Sequence, residues 1–278
     1  DPAGGVNEDG DADNDGSSVD HITFHPSLSG ATLTLTQGTL LIRSDLSIDG
    51  DLDADDSPDI TIDANGSGSV LFTDQGTSEL RGLTLTGGQE EFGGGIFATG
   101  NTTALTLVAS QITGNDAGSY GGGIAAFSGA QVHLRDSQVT NNSAVIYGGG
   151  IASYVAGTLT LTNSVVANNT AREGGGGVFA TDAERVEITN SSVLGNESLG
   201  VLGAGVHIRN TSGTVAISGS VIANNQGSLA VSQGGGLALE NVSSGTIEDT
   251  TIAENRAARG GGLFIAGNNP WSVNLGGS

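Results

Sequence analysis

From Gly88 to Asn255 the chain repeats one short phrase, an aliphatic residue, two small or polar residues and then asparagine, ending at Asn115, Asn142, Asn169, Asn196, Asn225 and Asn255. Successive asparagines stand 27, 27, 27, 29 and 30 residues apart. This period limits the fold more than any other feature does. A unit of that length cannot bury an apolar side alone and has to stack on its neighbours as one coil of a solenoid.

A second phrase runs in phase with the first. Glycine clusters followed by an aliphatic residue recur at Gly93–Ile96, Gly121–Ile124, Gly148–Ile151, Gly175–Val178, Gly203–Val206, Gly234–Leu237 and Gly260–Leu263. Between the two phrases, apolar and polar residues alternate, as in Leu105 and Leu107, Val132 and Leu134, Leu159 and Leu161 or Val186 and Ile188. Alternation of period two marks strands, and each coil has room for three. The expected fold is therefore all-β, a parallel β-helix with three strands per coil and with asparagine and glycine ladders at its corners.

In such a stack, equivalent residues of neighbouring coils lie about 4.7–4.9 Å apart. Each coil would bury some five aliphatic side chains, each contributing about 1.5–3 kcal/mol. The corner asparagine can donate to the coil on one side, accept from the other and tolerate a left-handed backbone. Glycine at the opposite corner permits positive φ and close approach of one backbone to the next. Both ladders read as architecture rather than chemistry.

The segments follow from where the pattern starts and fades. Residues 1–20 are an acidic arm with little to bury, and the chain reads as a piece of something longer. Residues 21–88 form less regular N-terminal capping coils with an Asp-rich loop, residues 89–267 are the regular coils, and residues 268–278 close the end, where Trp271 could cover the last coil. Eight arginines and no lysine face thirty acidic residues, for a formal charge of −22. Such a surface repels nucleic acid and anionic membranes. The sequence contains no run of apolar residues long enough to span a bilayer. The absence of cysteine excludes disulfides and thiolate chemistry.

Three groups of residues could carry chemistry. Asp51, Asp53, Asp55 and Asp59 stand at alternating positions of one tight loop and could turn several carboxylates toward a calcium ion, which takes six to eight oxygens; the competing reading is a solvated acidic turn. Phe92, Tyr120 and Tyr147 each precede a glycine cluster on successive coils, while Phe127 and Tyr154 share an outward position. These rings form a strip that could hold sugars, or that serves only to stabilise the stack. His133, Arg135 and Glu187 fall on one outward face, with Glu187 two coils from the pair. They are the candidates for a polysaccharide lyase or hydrolase, a reading that competes with ordinary surface decoration.

The pairing of Gly-Gly-x-aliphatic with aliphatic-x-x-Asn resembles the repeats of the chlamydial polymorphic outer-membrane proteins, whose second motif usually carries Phe where this chain has Ile or Val. The run from Asp20 to Gly30, followed by Leu46 to Gly50, is similar to bacterial secreted right-handed β-helix proteins that carry C-terminal sorting anchors. The resemblance implies a right-handed helix, a secreted or cell-surface location and an adhesive role toward glycans or surface proteins. The expected function is thus an extracellular structural or adhesin-like module, with calcium ordering its Asp-rich region. A polysaccharide-binding or polysaccharide-degrading β-helix is the alternative.

Overall fold

The computed structural model describes residues 19–267 and the backbone of a strand at Trp271–Asn274. Residues 1–18 of the arm, most of the end segment and the side chain of Trp271 lie outside the described residues, and Asp20, placed in the arm, begins the first strand. The strands are stacked in parallel as a right-handed solenoid, as the repeat requires. A ten-stranded sheet runs from Asp20–Thr23 to Trp271–Asn274, and a nine-stranded sheet from Thr32–Thr34 to Thr251–Ala253 ends each coil at its asparagine. Another nine-stranded sheet, from Leu40–Ile42 to Leu263–Ala266, follows the glycine clusters and is called the glycine-side sheet below.

The expectation of three strands per coil is incomplete. A fourth, six-stranded sheet fills the corner between asparagine and glycine, from Gln89–Phe92 to Gln226–Gly227. Most of its strands are two residues long, too short for alternation to reveal. They form because coils of nearly equal length bring leftover backbone groups into register, so that Val145 N–H donates to Ala117 C=O at 3.0 Å and Leu199 N–H to Ala171 C=O at 3.1 Å. Buried backbone groups left without such partners would be costly.

The interior holds a single column of aliphatic side chains. One coil contributes Ile151, Leu159, Leu161 and Val166, all fully buried, and places Ser153 where neighbouring coils carry Ala126 and Ala180. Four large side chains and one small one fill the cross-section. The first described coil is more open, with Ile22 44 % and Leu41 61 % exposed.

The corners work largely as expected, with one correction. Asn142 accepts from the backbone N–H of Asn115 at 3.0 Å and from its amide at 3.1 Å, and donates to Ile112 C=O at 3.0 Å and to the Asn169 amide oxygen at 3.1 Å. Each ladder asparagine from Asn115 to Asn225 therefore bonds in both directions along the stack, and Asn255 bonds to the coil before it. The left-handed backbone, however, belongs to the residue before it: Gly114, Asn141, Asn168, Gly195, Asn224 and Glu254 carry the positive φ. That residue turns the chain, and the ladder asparagine, freed from the turn, inserts its amide into the stack. At the opposite corner Gly148 has φ +66, and a Cβ on Gly149 would lie 2.4 Å from Thr170 C=O of the next coil.

A further ladder runs five residues before each asparagine. Ser110 N–H donates to Ser137 Oγ at 3.1 Å, Ser137 to Ser164 at 3.2 Å, Ser164 to Ser191 at 3.0 Å and Ser191 to Ser220 at 3.1 Å. The serines recur in phase with the asparagines, so the signal was present in the sequence.

Candidate functional site

The Asp-rich loop leaves the strand Leu46–Asp49 and re-enters at Ile60–Asp63, its sharp bend made by positive φ at Ala54 and Asp56. Asp51, Asp53 and Asp59 each bring a carboxylate oxygen within 4.8 Å of the others. Asp55 does not join them. Its carboxylate turns back to accept from Ser57 N–H at 2.9 Å, as aspartate does at the head of a tight turn. Asp51 also accepts from the Arg81 guanidinium at 3.1 Å, and Asp56 from the same group. A cation here would share Asp51 with an arginine already in place.

The two remaining carboxylates differ. Desolvation within the loop, then the charges of Asp55, Asp59 and Asp51, raise the Asp53 carboxyl above its usual value. Hydrogen bonds from the Ser29 hydroxyl at 2.7 Å and from Leu52 N–H at 2.8 Å lower that of Asp59. Asp59 is thus fixed and ionised, while Asp53 carries the charge that a cation would relieve.

His133, Thr160 and Glu187 lie in one register column, so Glu187 is two coils from His133 as expected. His133 and Glu187 do not contact each other directly. His133 Nδ1 shares a 2.8 Å hydrogen bond with Thr160, while Glu187 accepts from Arg185. Burial lowers the His133 pKa despite the pull of Glu187. Arg135 stands exposed at the end of the same strand. His133 and Glu187 are engaged separately, and no acid–base pair forms between them.

The aromatic residues do come together. Phe92 and Tyr120 stack at 5.9 Å and 13°, Tyr120 and Tyr147 at 5.9 Å and 21°, and Phe127 meets Tyr154 at 5.6 Å. Phe92 and Tyr120 each also contact Phe127, at 5.2 and 6.0 Å, which joins the two columns into one surface. Burial, then the neighbouring Tyr154 and Tyr147, raises the Tyr120 phenol above its usual pKa. Tyr154 is 38 % exposed, and most of the other rings are half-buried.

The arrangement follows from three outward columns on and beside the glycine-side sheet. Where the middle column holds Ala125 and Ala152, both fully buried, the flanking positions carry the tyrosines and Phe127. One coil further the middle position becomes Phe179, the corner position becomes Gly174, and Phe179 stacks on Tyr147 at 4.4 Å and 12°. Small and large residues exchange places, so a layer of rings one side chain deep covers the outside of the sheet.

Sequence reasoning missed the continuation of this layer. Phe97 contacts Phe92 and Phe127 at 5.9 and 5.5 Å. His207 meets Phe179 at 5.3 Å, and the Arg209 guanidinium lies 5.3 Å from the Tyr147 ring centre and 5.1 Å from that of Phe179. Phe97, Phe179 and His207 directly follow the inward aliphatic after the glycines, so strand alternation marks them as outward. His207 is fully buried and its Nε2 contacts Glu240 at 3.1 Å. Burial lowers the His207 pKa, whereas the bond to His207 lowers that of Glu240. Both directions fit a neutral imidazole donating its Nε2 proton to an ionised carboxylate, which leaves Nδ1 a bare acceptor without a partner.

Among the described residues no helix is long and apolar enough to cross a membrane. A family model described as a right-handed β-helix region matches residues 58–222 and 147–275. No curated protein and no solved structure matches the chain.

Proposed function

We propose that this chain, which belongs to the right-handed β-helix family, is an extracellular, non-enzymatic, adhesin-like module that binds glycans on its aromatic strip. One observation carries the reading. Rings on successive coils form a continuous, partly exposed surface whose period is the coil spacing, about 4.8 Å. Aromatics stacked over Ala125 and Ala152 would stabilise the scaffold equally well if fully covered. Tyr154, however, is left open to solvent on a stack whose core is already filled. The apolar face of a pyranose is a chemical match to such rings, and each ring contact contributes on the order of 1 kcal/mol.

Calcium at Asp51, Asp53 and Asp59 is a second part of the proposal, supported by the convergence of three carboxylates on one loop. An ion there would tie the Asp-rich loop to the coil below through Asp59. The surface location, the adhesive role and attachment to a larger protein rest on the resemblance to secreted β-helix passengers. A glycan array probed with and without calcium tests the whole reading. The expected result is saturable binding to a subset of neutral glycans that weakens in Tyr120→Ala and Tyr154→Ala and is accompanied by no cleavage. Binding that survives both substitutions, or turnover of any glycan on the array, would refute it.

A further inference from the structure

The aromatic strip ends at a positive charge that, among the described residues, forms no ion pair with a carboxylate of its own chain. Arg43, Arg81 and Arg185 each hold a carboxylate of their own chain. Arg209 is the register neighbour of Glu240, which accepts from His207 at 3.1 Å and feels the Arg209 charge without forming a hydrogen bond to it. The guanidinium instead turns back over the Tyr147 and Phe179 rings, and its Nε–H is buried with no hydrogen-bond partner. A buried donor left without an acceptor is costly and calls for a reason.

We propose that Arg209 is the subsite for a single sugar carboxylate, such as that of a sialic or uronic acid, at the end of the aromatic strip; the inference rests on the glycan-binding reading above. Arginine combines stacking on aromatic faces with a planar fork of donors suited to a carboxylate. Arg209 shares its outward column with Thr181 and Tyr154, which places it two coil spacings, about 9.5 Å, from the most open ring of the strip. That separation suits an acidic residue on the arginine and a neutral ring on Tyr154.

The charge of the chain narrows the ligand further. A formal charge of −22 repels a polyanion along its whole length. Screening over about 8 Å at physiological salt leaves one carboxylate governed mainly by the group it touches. A glycan with one acid among neutral sugars is therefore favoured over a polyuronate.

Titration calorimetry at 0.15 M salt with lactose and 3′-sialyllactose separates this inference from the reading beneath it. The wild-type chain is expected to bind sialyllactose at least tenfold more tightly than lactose. Arg209→Met, which keeps the packing over the rings, should shrink that gap to less than twofold and leave lactose unchanged. Arg209→Lys should restore part of it, and Tyr154→Ala should weaken both sugars alike. Equal affinities in the wild type, or a gap that survives Arg209→Met, would overturn the carboxylate subsite alone. If neither sugar binds and Tyr154→Ala changes nothing, the aromatic platform falls and the subsite with it.

Discussion

Asn169→Ala is the substitution that tests whether the corner amides hold the coils together. Asn169 is fully buried and makes four hydrogen bonds through its side chain. Its oxygen accepts from Asn142 N–H at 3.0 Å and from the Asn142 amide at 3.1 Å; its nitrogen donates to Val139 C=O at 2.9 Å and to the Asn196 oxygen at 3.0 Å. Truncation leaves the Asn142 N–H without an acceptor in a place water cannot reach, at about 1–3 kcal/mol, and each of the other lost bonds adds about 1 kcal/mol. The expected loss is about 4–6 kcal/mol. Asn168, one residue earlier, is the internal control, since it is exposed, has φ +56, and occupies the place of Gly114 and Gly195. Asn168→Gly exchanges relief of a left-handed backbone for chain entropy, so stability should change by less than about 1 kcal/mol. Urea unfolding followed by circular dichroism measures both, and hydrogen exchange at the Asn142 amide reports the opened site directly. Two neighbouring asparagines with equal effects, or an Asn142 amide that stays protected in Asn169→Ala, would refute the ladder as the source of stability.

Ser164→Ala removes the acceptor for Ser137 N–H and a 2.8 Å bond to Thr162 C=O, and should cost about 2–4 kcal/mol in the same unfolding assay, less than Asn169→Ala. Calcium should raise the melting temperature of the wild type but not of Asp53→Asn. Because the Asp53 carboxyl titrates above its ordinary value, protons compete for the site as pH falls through that raised pKa, and the shift in melting temperature should fade from neutral toward acidic pH. His207 is held neutral by burial, so the unfolded chain binds more protons than the folded one between the lowered folded pKa and the unfolded value near 6.5. Stability should therefore drop as pH falls through about 6.5. His207→Phe, filling the same place beside Phe179, should flatten that part of the stability–pH curve; an unchanged slope would mean the imidazole is not the titrating group.

The fold was legible because the strongest constraints repeat. An amide at Asn142 has to meet one at Asn169 if coils stack, and strand alternation decides which of Ile151 and Ala152 faces inward. The fourth sheet was not legible, since pairs such as Ser143–Ala144 are too short to show a period and exist only because the neighbouring coil is already in place. Likewise, nothing in the composition of the acidic loop separates Asp55 from Asp53. The distinction arises where Asp55 closes a turn on Ser57, and where Arg81 on the adjacent strand claims Asp51 and Asp56. The stacking of Tyr120 on Tyr147 was visible from spacing, but Arg209 was not, because its position depends on Glu240 being engaged by a histidine.

The irregular spacings of the asparagines carry information that the regular ones do not. Three coils keep a period of 27, and the next two run to 29 and 30. From each ladder asparagine to the last glycine of the following cluster takes 8 residues at Asn142 and Asn169, 9 at Asn196 and 11 at Asn225. Four of the five extra residues therefore fall in one corner, beside the glycine-side sheet, where Leu199, Val201, Leu229 and Val231 project into solvent. The fifth lies between Arg209 and Thr214, at the other margin of the same sheet. The asparagine ladder passes through these coils unchanged, while the core trades sizes, with Ile208 and Leu239 in the place of Ala180 and Gly245 in the place of Val215. Insertions that the stack tolerates are thus concentrated around Phe179, His207 and Arg209, the end of the ring layer where its chemistry turns from apolar to charged. Among the coils from Asn115 to Asn255, length thus varies only around one face, which keeps the asparagine ladder in register while reshaping what that face can hold.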